Sequence, residues 1–384
     1  MVFDFVVLGA TGMQGRIVSK DLLENKYNVL MCGRDSPRIE HLLKKYKKSS
    51  FEKFDAKNIG ETSEIIKKSK AKVVVNCVEG DWNLHILKAC IKAKANCIDL
   101  GSDIPMTKDQ LNLHAELKKK NIISLTGCGS VPGIGNVMLR HAAKKFDKIN
   151  EIEVGFNWNS NIKKFVVPFS IQSIIEEFTS PAPIVYHHKI KKIDPMGSVM
   201  RVYHREIGRE PQFNVGHHPE TYTFYEYCKE KGVKNVKFYA GFPKHSFEAI
   251  NNMIEWGLGS WDPINFKGNK IAPIEILTET LKDIKIPEGY EEKENLWVIV
   301  SGAHNGKKKE IIMECIVPTL KGWEDAGCNI DTGMPASIMA QMIHKGIIQE
   351  KGSFAPEEVV DTTPFFKEIA ERSMHVLENG KRIN

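Results

Sequence analysis

The chain has 384 residues, more than one ordinary core encloses and enough for two domains. Apolar residues make up 42% and charged residues 27%, an ordinary soluble globular composition. The net charge of +6 comes from lysines scattered over several segments, Lys163 and Lys164 among them. Without a basic stripe on one element, nucleic acid is excluded as the expected partner.

The first 130 residues alternate between short β-rich runs and helical patterns. "FDFVVLG", "YNVLMCG", "SFEKFDA", "KVVVNCV", "ANCIDLG" and "IISLTGC" read as strands. Amphipathic stretches such as "GRIVSKDLLENK" and "DWNLHILKACIKAK" lie between them. Such alternation predicts an α/β fold: a doubly wound, parallel-sheet, dinucleotide-binding domain over 1–130.

The pattern then changes. "EIEVGFNW", "PIVYHHKIKKI", "VMRVYHREI", "NVKFYAGF", "LWVIVSG" and "EIIMECIVP" read as strands with few helices between them. The last two flank Asn305-Gly306, a hairpin signal. Residues 131–334 are therefore expected to form a second α+β domain on a mainly antiparallel sheet. From Pro335 the pattern over 335–384 is helical again, in "PASIMAQMIHKGII" and "PFFKEIAERSMHVL", and the pattern alone does not place these helices.

"VVLGATGMQGRIV" sets Gly9, Gly12 and Gly15 between a strand and a helix, with Thr11 and Met13 among them. A tight turn and close backbone approach let main-chain N–H groups and a helix N-terminus receive a pyrophosphate. The spacing departs from G-x-G-x-x-G, and a ligand-free glycine turn is the plain alternative. At the end of the second strand, "MCGRDSP" offers Arg34, with Ser36, to a 2′-phosphate, which points to NADP. Asp35 starts a helix in that reading; in the other it reaches the ribose of NAD. Asp55 follows the third strand, and Asn76, Cys77 and Val78 end the fourth, on the expected cofactor edge.

Eight cysteines form no C-x-x-C pair and no zinc spacing, so no metal is expected. No apolar run approaches the roughly 20 residues that span a bilayer. The N-terminus runs straight into a strand without a cleavage signal. The expectation is a reduced, cytoplasmic chain that meets no membrane.

"CIDLGSDIPMTKDQLNLHAELKKKNIISLTGCGSVPGIGNVMLRHAAKKF" resembles the saccharopine dehydrogenase/lysine 6-dehydrogenase family. "GHHPETYTFYEYCKEKGVKNVKFYAGFP" and the tail "GMPASIMAQMIHKGIIQEKGSFAPEEVVDTTPFFKEIAERS" extend the likeness over most of the chain. The resemblance implies a Rossmann domain, an antiparallel-sheet substrate domain, returning C-terminal helices and a homodimer. It also makes Asp99 and Cys128 the counterparts of an aspartate and a cysteine that face the substrate. Cys128, near a helix start, would be an acid/base or positioning thiol. The plainer alternatives are a helix cap for Asp99 and a small tolerated residue for Cys128. Gly133 lets a backbone N–H face the cofactor. His218 and Glu220 are placed by the same likeness on a strand facing the cleft, to hold an amino acid's amine and carboxylate. Arg201, with Arg205 and Arg209 nearby, suits a carboxylate grip.

The expected activity is an NAD(P)-dependent oxidation at the amine carbon of a small amino-acid substrate, of the lysine 6-dehydrogenase or saccharopine dehydrogenase kind. A carboxyspermidine-type reductase is a further member of that class. A non-catalytic NADP sensor is the alternative from another class.

Overall fold

The computed structural model describes residues 2–167, 170–197, 199–281 and 284–384. The first domain opens with β1 (Phe5–Leu8), α1 (Met13–Glu24), β2 (Val29–Gly33), α2 (Glu40–Lys45) and β3 (Ser49–Lys53). It continues through α3 (Ile59–Ser69), β4 (Val73–Asn76), α4 (Asn83–Ala93), β5 (Asn96–Asp99), α5 (Ile104–Leu111), α6 (His114–Lys119) and β6 (Ile123–Leu125). The strands lie in the order β3-β2-β1-β4-β5-β6, all parallel. β1, β2 and β4 are buried along their whole length, as unbroken apolar strands covered on both faces must be. The order reverses between β1 and β4, and a ligand crevice belongs at their carboxyl ends.

The second domain contains α7 (Ile134–Ala143), β7 (Lys148–Ser160), α8 (Ile171–Thr179), β8 (Ala182–Tyr186), β9 (Lys189–Ile193), β10 (Val199–Met200) and β11 (Gln212–Phe213). Next come α9 (Glu220–Cys228), β12 (Asn235–Gly241), α10 (Lys244–Glu255), the small hairpin β13 (Ile264–Phe266) and β14 (Asn269–Ile271), and α11 (Pro273–Leu281). Two long strands complete it, β15 (Glu292–His304) and β16 (Lys307–Pro318). They pair from Lys293–Pro318 to His304–Lys307 around Asn305 and Gly306, both at positive φ, as a tight two-residue turn demands. The sheet is mixed, because β12 pairs with β7 in parallel while β15 flanks β7 antiparallel.

The C-terminal segment comprises α12 (Ile330–His344), β17 (Gly352–Phe354), α13 (Pro356–Val359), α14 (Thr362–Glu371), β18 (His375–Glu378) and β19 (Lys381–Arg382). It serves both domains: β17 extends the parallel sheet beside β6, and β18 extends the mixed sheet beside β16. Helix α12 lies against α1, and Arg372 closes this packing with a buried fork on Asp21 at 2.8 and 2.9 Å.

Three expectations change. Helix α12 starts at Ile330 rather than Pro335, which sits inside it. The run 364–377 is not one helix, because Ser373 at positive φ stops α14 and the next residues form β18. In 199–207 only Val199–Met200 is a strand; residues 201–207 are largely exposed chain, with one bridge from His204 to Gly208. All eight cysteines are free. No helix is long and apolar enough to cross a membrane, and no metal-binding cluster occurs among the described residues.

Candidate active site

The loop after β1 is built to admit a phosphate. Gly9 has φ +77°, and a Cβ there would meet the Cys77 carbonyl oxygen at 2.7 Å and Val78 N at 3.0 Å. A Cβ on Gly15 would lie 2.2 Å from the Gly9 carbonyl oxygen. Gly12 donates to Gly9 O at 3.0 Å and precedes α1, whose first bond runs from Arg16 N to Gly12 O. The N–H groups of Met13, Gln14 and Gly15 are thus left at the helix end, beside Thr11. Thr11 packs on Gly33 at the end of β2, so the loop and the Arg34 strand end stand together.

Arg34 and Asp35 are exposed there, and Ser36 caps the turn Pro37–Ile39 without a side-chain bond. Two further cations join them. Burial and the charge of Arg38 lower the pKa of Arg16 on α1, while Asp325 opposes them. The spacing R-D-S-P-R carried this signal; Arg16 was visible only as a residue of the glycine-loop helix. Asp55 is exposed, its Oδ1 accepting from Lys57 N at 3.0 Å in a turn.

On the cofactor edge the individual assignments shift. Asn76 is 1% exposed and occupied by structure, bonding Asn83 at 2.8 Å and Val78 N at 3.1 Å. Cys77 is half-buried beneath the glycine loop. It is Glu79 and Gly80, just beyond, that reach the cleft.

Asp99 and Cys128 do not line the cleft. Asp99 Oδ1 accepts from Gly101 N, Gly127 N and Thr126 Oγ1 at 2.8, 3.1 and 3.2 Å, and Oδ2 accepts from Gln110 at 2.6 Å. It ties the β5 turn to the loop after β6. Burial raises its pKa and these bonds oppose that. Cys128 is fully buried, its Sγ 3.8 Å from Leu125 O. Burial, then Asp99, pushes the thiol well up, which opposes an acid/base role at neutral pH. Position 133 requires glycine, since its φ is +136° and a Cβ would strike Gly129 O at 1.8 Å. Its N–H is taken by Asn136 Oδ1 at 2.7 Å and so does not face a cofactor.

The cleft between the domains has a volume of about 780 Å³, room for a nicotinamide and a substrate. One wall is Leu100, Gly101, Ser102, Ser130, Val131 and Pro132 of the first domain's rim; Gln14, Asn329 and Thr332 close its base. The far wall holds Phe156, Trp158, Gln172, Ser173 and Trp261. Its charge is one-sided. Glu79, Asp81, Asp103, Glu176, Glu177, Glu292, Glu294 and Asp331 line it, and among the described residues no arginine or lysine does. Arg201, Arg205 and Arg209 are exposed outside it, so the expected arginine grip is absent.

His218 does reach the cleft, but from the loop before α9, not from a strand. It stacks on Phe238 with centroids 3.5 Å apart, between Glu177 at 3.7 Å and Glu220 at 3.5 Å. Burial opposes its charge, yet Glu220 and Glu177 outweigh burial and hold it up to about 9. Glu220 is fully buried at the start of α9 and serves His218 rather than the cleft. Glu177, unforeseen in the sequence, is 8% exposed, and its Oε2 has no partner among the described residues.

Comparison with known proteins agrees with this architecture. Residues 5–125 match the family model described as the saccharopine dehydrogenase NADP binding domain, and residues 113–375 match the saccharopine dehydrogenase C-terminal domain. The carboxyaminopropylagmatine dehydrogenase of Synechocystis sp. is 22% identical over 98% of both chains. The saccharopine dehydrogenase (L-Glu forming) of Saccharomyces cerevisiae superposes with a TM-score of 0.76 over the whole of both chains at 14% identity, a likeness of fold. The glycine cradle, the free N–H groups of α1 and the arginines at the end of β2 fit NADP. With its NADP-binding first domain and its matching second domain, the chain belongs to the saccharopine dehydrogenase family.

Proposed function

We propose that the protein is an NADP-dependent dehydrogenase of a secondary amine that joins an amino-acid carbon chain to a cationic polyamine or guanidine. The observation that carries this reading is the cleft wall: eight carboxylates, no lysine or arginine among the described residues, and one histidine cation already paired with two glutamates. A dicarboxylate added to lysine, as in saccharopine, would meet like charge there, whereas an ammonium or guanidinium meets Glu177 Oε2. Bound NADP supplies the hydride acceptor. The residues of the chain orient the amine, neutralise its cationic tail and keep water in reach of the oxidised carbon. The relative whose name denotes an agmatine derivative supports the same substrate class.

The test monitors reduced-nicotinamide absorbance with NADP and, in turn, carboxyaminopropylagmatine, its spermidine analogue, saccharopine and lysine. One desolvated charge pair corresponds to about 1.5–3 kcal/mol, so a cationic-tailed amine should exceed saccharopine roughly 10- to 150-fold in kcat/KM. Preference for saccharopine or lysine refutes the reading. Tight NADP binding without turnover of any amine favours the sensor.

A further inference from the structure

Most of the carboxyl groups in the cleft have no ion partner among the described residues, and two of them stand together. Glu294 on β15 and Asp331 in the first turn of α12 face each other within hydrogen-bonding reach, and both line the cavity. A helix N-terminus would favour an ionised Asp331, but two carboxylates at this separation cannot both ionise without a compensating cation. None is supplied. The groups facing the pair are Glu292 on its own strand, the Cys315 and Cys328 thiols of β16 and the loop before α12, and Asp331's neighbour Thr332. Glu292 is already held by Tyr290 at 3.0 Å and Cys328 N at 2.6 Å. Burial pushes both carboxyls up, Asp331 to about 7 and Glu294 well above the usual carboxylate range, and a proton held between the two relieves their repulsion.

Two independent features aim the pair at a ligand. Trp158 stands directly across from Glu294 in the β7–β15 register, is 3% exposed, lines the same cleft, and its Nε1–H has no partner among the described residues. A buried donor left unpaired points to an acceptor that arrives with the substrate. On the other side, Thr332 Oγ1 donates to Asp331 Oδ1 at 2.9 Å and lies 3.3 Å from Ser130 Oγ, on the rim of the first domain. The pair thus spans from the substrate wall to the cofactor edge.

We propose that Glu294 and Asp331, sharing one proton, form the acid–base pair that moves protons at the substrate nitrogen and at water. The proposal rests on the amine-dehydrogenase reading above. In the oxidative direction the ionised member takes a proton from the substrate ammonium, and that proton passes to solvent. The C–H bond then breaks with both electrons leaving to NADP+, which gives an iminium. Water adds to the iminium carbon and loses a proton to the carboxylate, while Trp158 donates to the new oxygen. The protonated member returns a proton to nitrogen as the C–N bond breaks, and the hydroxyl proton leaves to solvent. The balance is secondary ammonium, NADP+ and water to aldehyde, primary amine, NADPH and two H+, one of which the primary amine takes up in solution.

The test compares wild type with Glu294→Gln and Asp331→Asn. General acid–base groups contribute about 10²- to 10⁴-fold, so kcat should fall by at least about 10²-fold with little change in KM. The wild-type bell-shaped pH profile should lose one limb in each variant. A second readout needs no turnover: infrared spectra of the apoprotein at neutral pH should show a protonated-carboxyl stretch that either substitution abolishes. Should one variant fail to fold, the other suffices, since each removes the shared proton. Full kcat with an unchanged profile in a folded variant, or absence of that band in wild type, overturns the proposal. If the polyamine-type amine is not a substrate but another amine is, the substrate reading fails while the profile on that amine still decides the pair.

Discussion

Replacing Glu177 by glutamine keeps the shape of the side chain and removes its charge. In the native protein Oε1 lies 3.7 Å from His218 Nε2, while Oε2 is buried and has no partner. A cationic substrate tail would supply its first charge-assisted hydrogen bond, worth about 1.5–3 kcal/mol in such surroundings. Losing it weakens binding roughly 10- to 150-fold. Glu177 sits on α8, in the wall contributed by the second domain, so the contact is made alike before and during the reaction. The loss should therefore fall on KM and leave kcat nearly unchanged. The fold should persist because Glu220 still pairs with His218 at 3.5 Å. The assay is initial-rate kinetics at saturating NADP, with carboxyaminopropylagmatine and with an analogue that lacks the cationic end. Wild type should favour the full substrate, and Glu177→Gln should remove most of that preference. An unchanged KM for the cationic substrate, or an equal loss with both, refutes the reasoning.

Arg34→Ala should weaken NADP roughly 10- to 150-fold by removing a phosphate contact and leave NAD affinity nearly unchanged, as fluorescence titration of each reduced coenzyme would show. Equal losses for both would exclude the phosphate role. His218 sets a pH dependence of stability. Its folded pKa of about 9 lies above the ordinary ~6.5, so the stabilisation is complete below about pH 6.5 and is lost as pH rises towards 9. The amount is on the order of 3 kcal/mol. Urea unfolding at the two ends of that window should show it, and His218→Gln should flatten the dependence; identical slopes would contradict the assignment.

Much of the fold was legible because its signals are local. Period-two and unbroken apolar runs mark β1 to β6, Gly9 and Gly15 sit where a strand meets a helix, and Asn305-Gly306 turns a hairpin of two long strands. The errors arose where tertiary context decides. Residues 199–207 carry strand-forming side chains but find little partner backbone, and "SMHVL" leaves a helix because β16 offers an edge. Asp99 and Cys128 have the residue types of a site and the burial of a scaffold.

The sequence by itself determined the coenzyme loop, because a glycine turn, a helix start and the R-D-S-P-R arginines lie within one strand–helix–strand unit. Of the substrate wall, only His218 was placed beforehand, and that by family resemblance; the rest belongs to the tertiary structure. Glu177, His218, Glu294 and Asp331 come from α8, a loop, β15 and α12, elements that lie far apart along the chain. Nothing in the spacing of four ordinary polar residues reveals that folding brings them into one cleft. Their charges, burial and partners arise only there, since each depends on what the rest of the chain places against it.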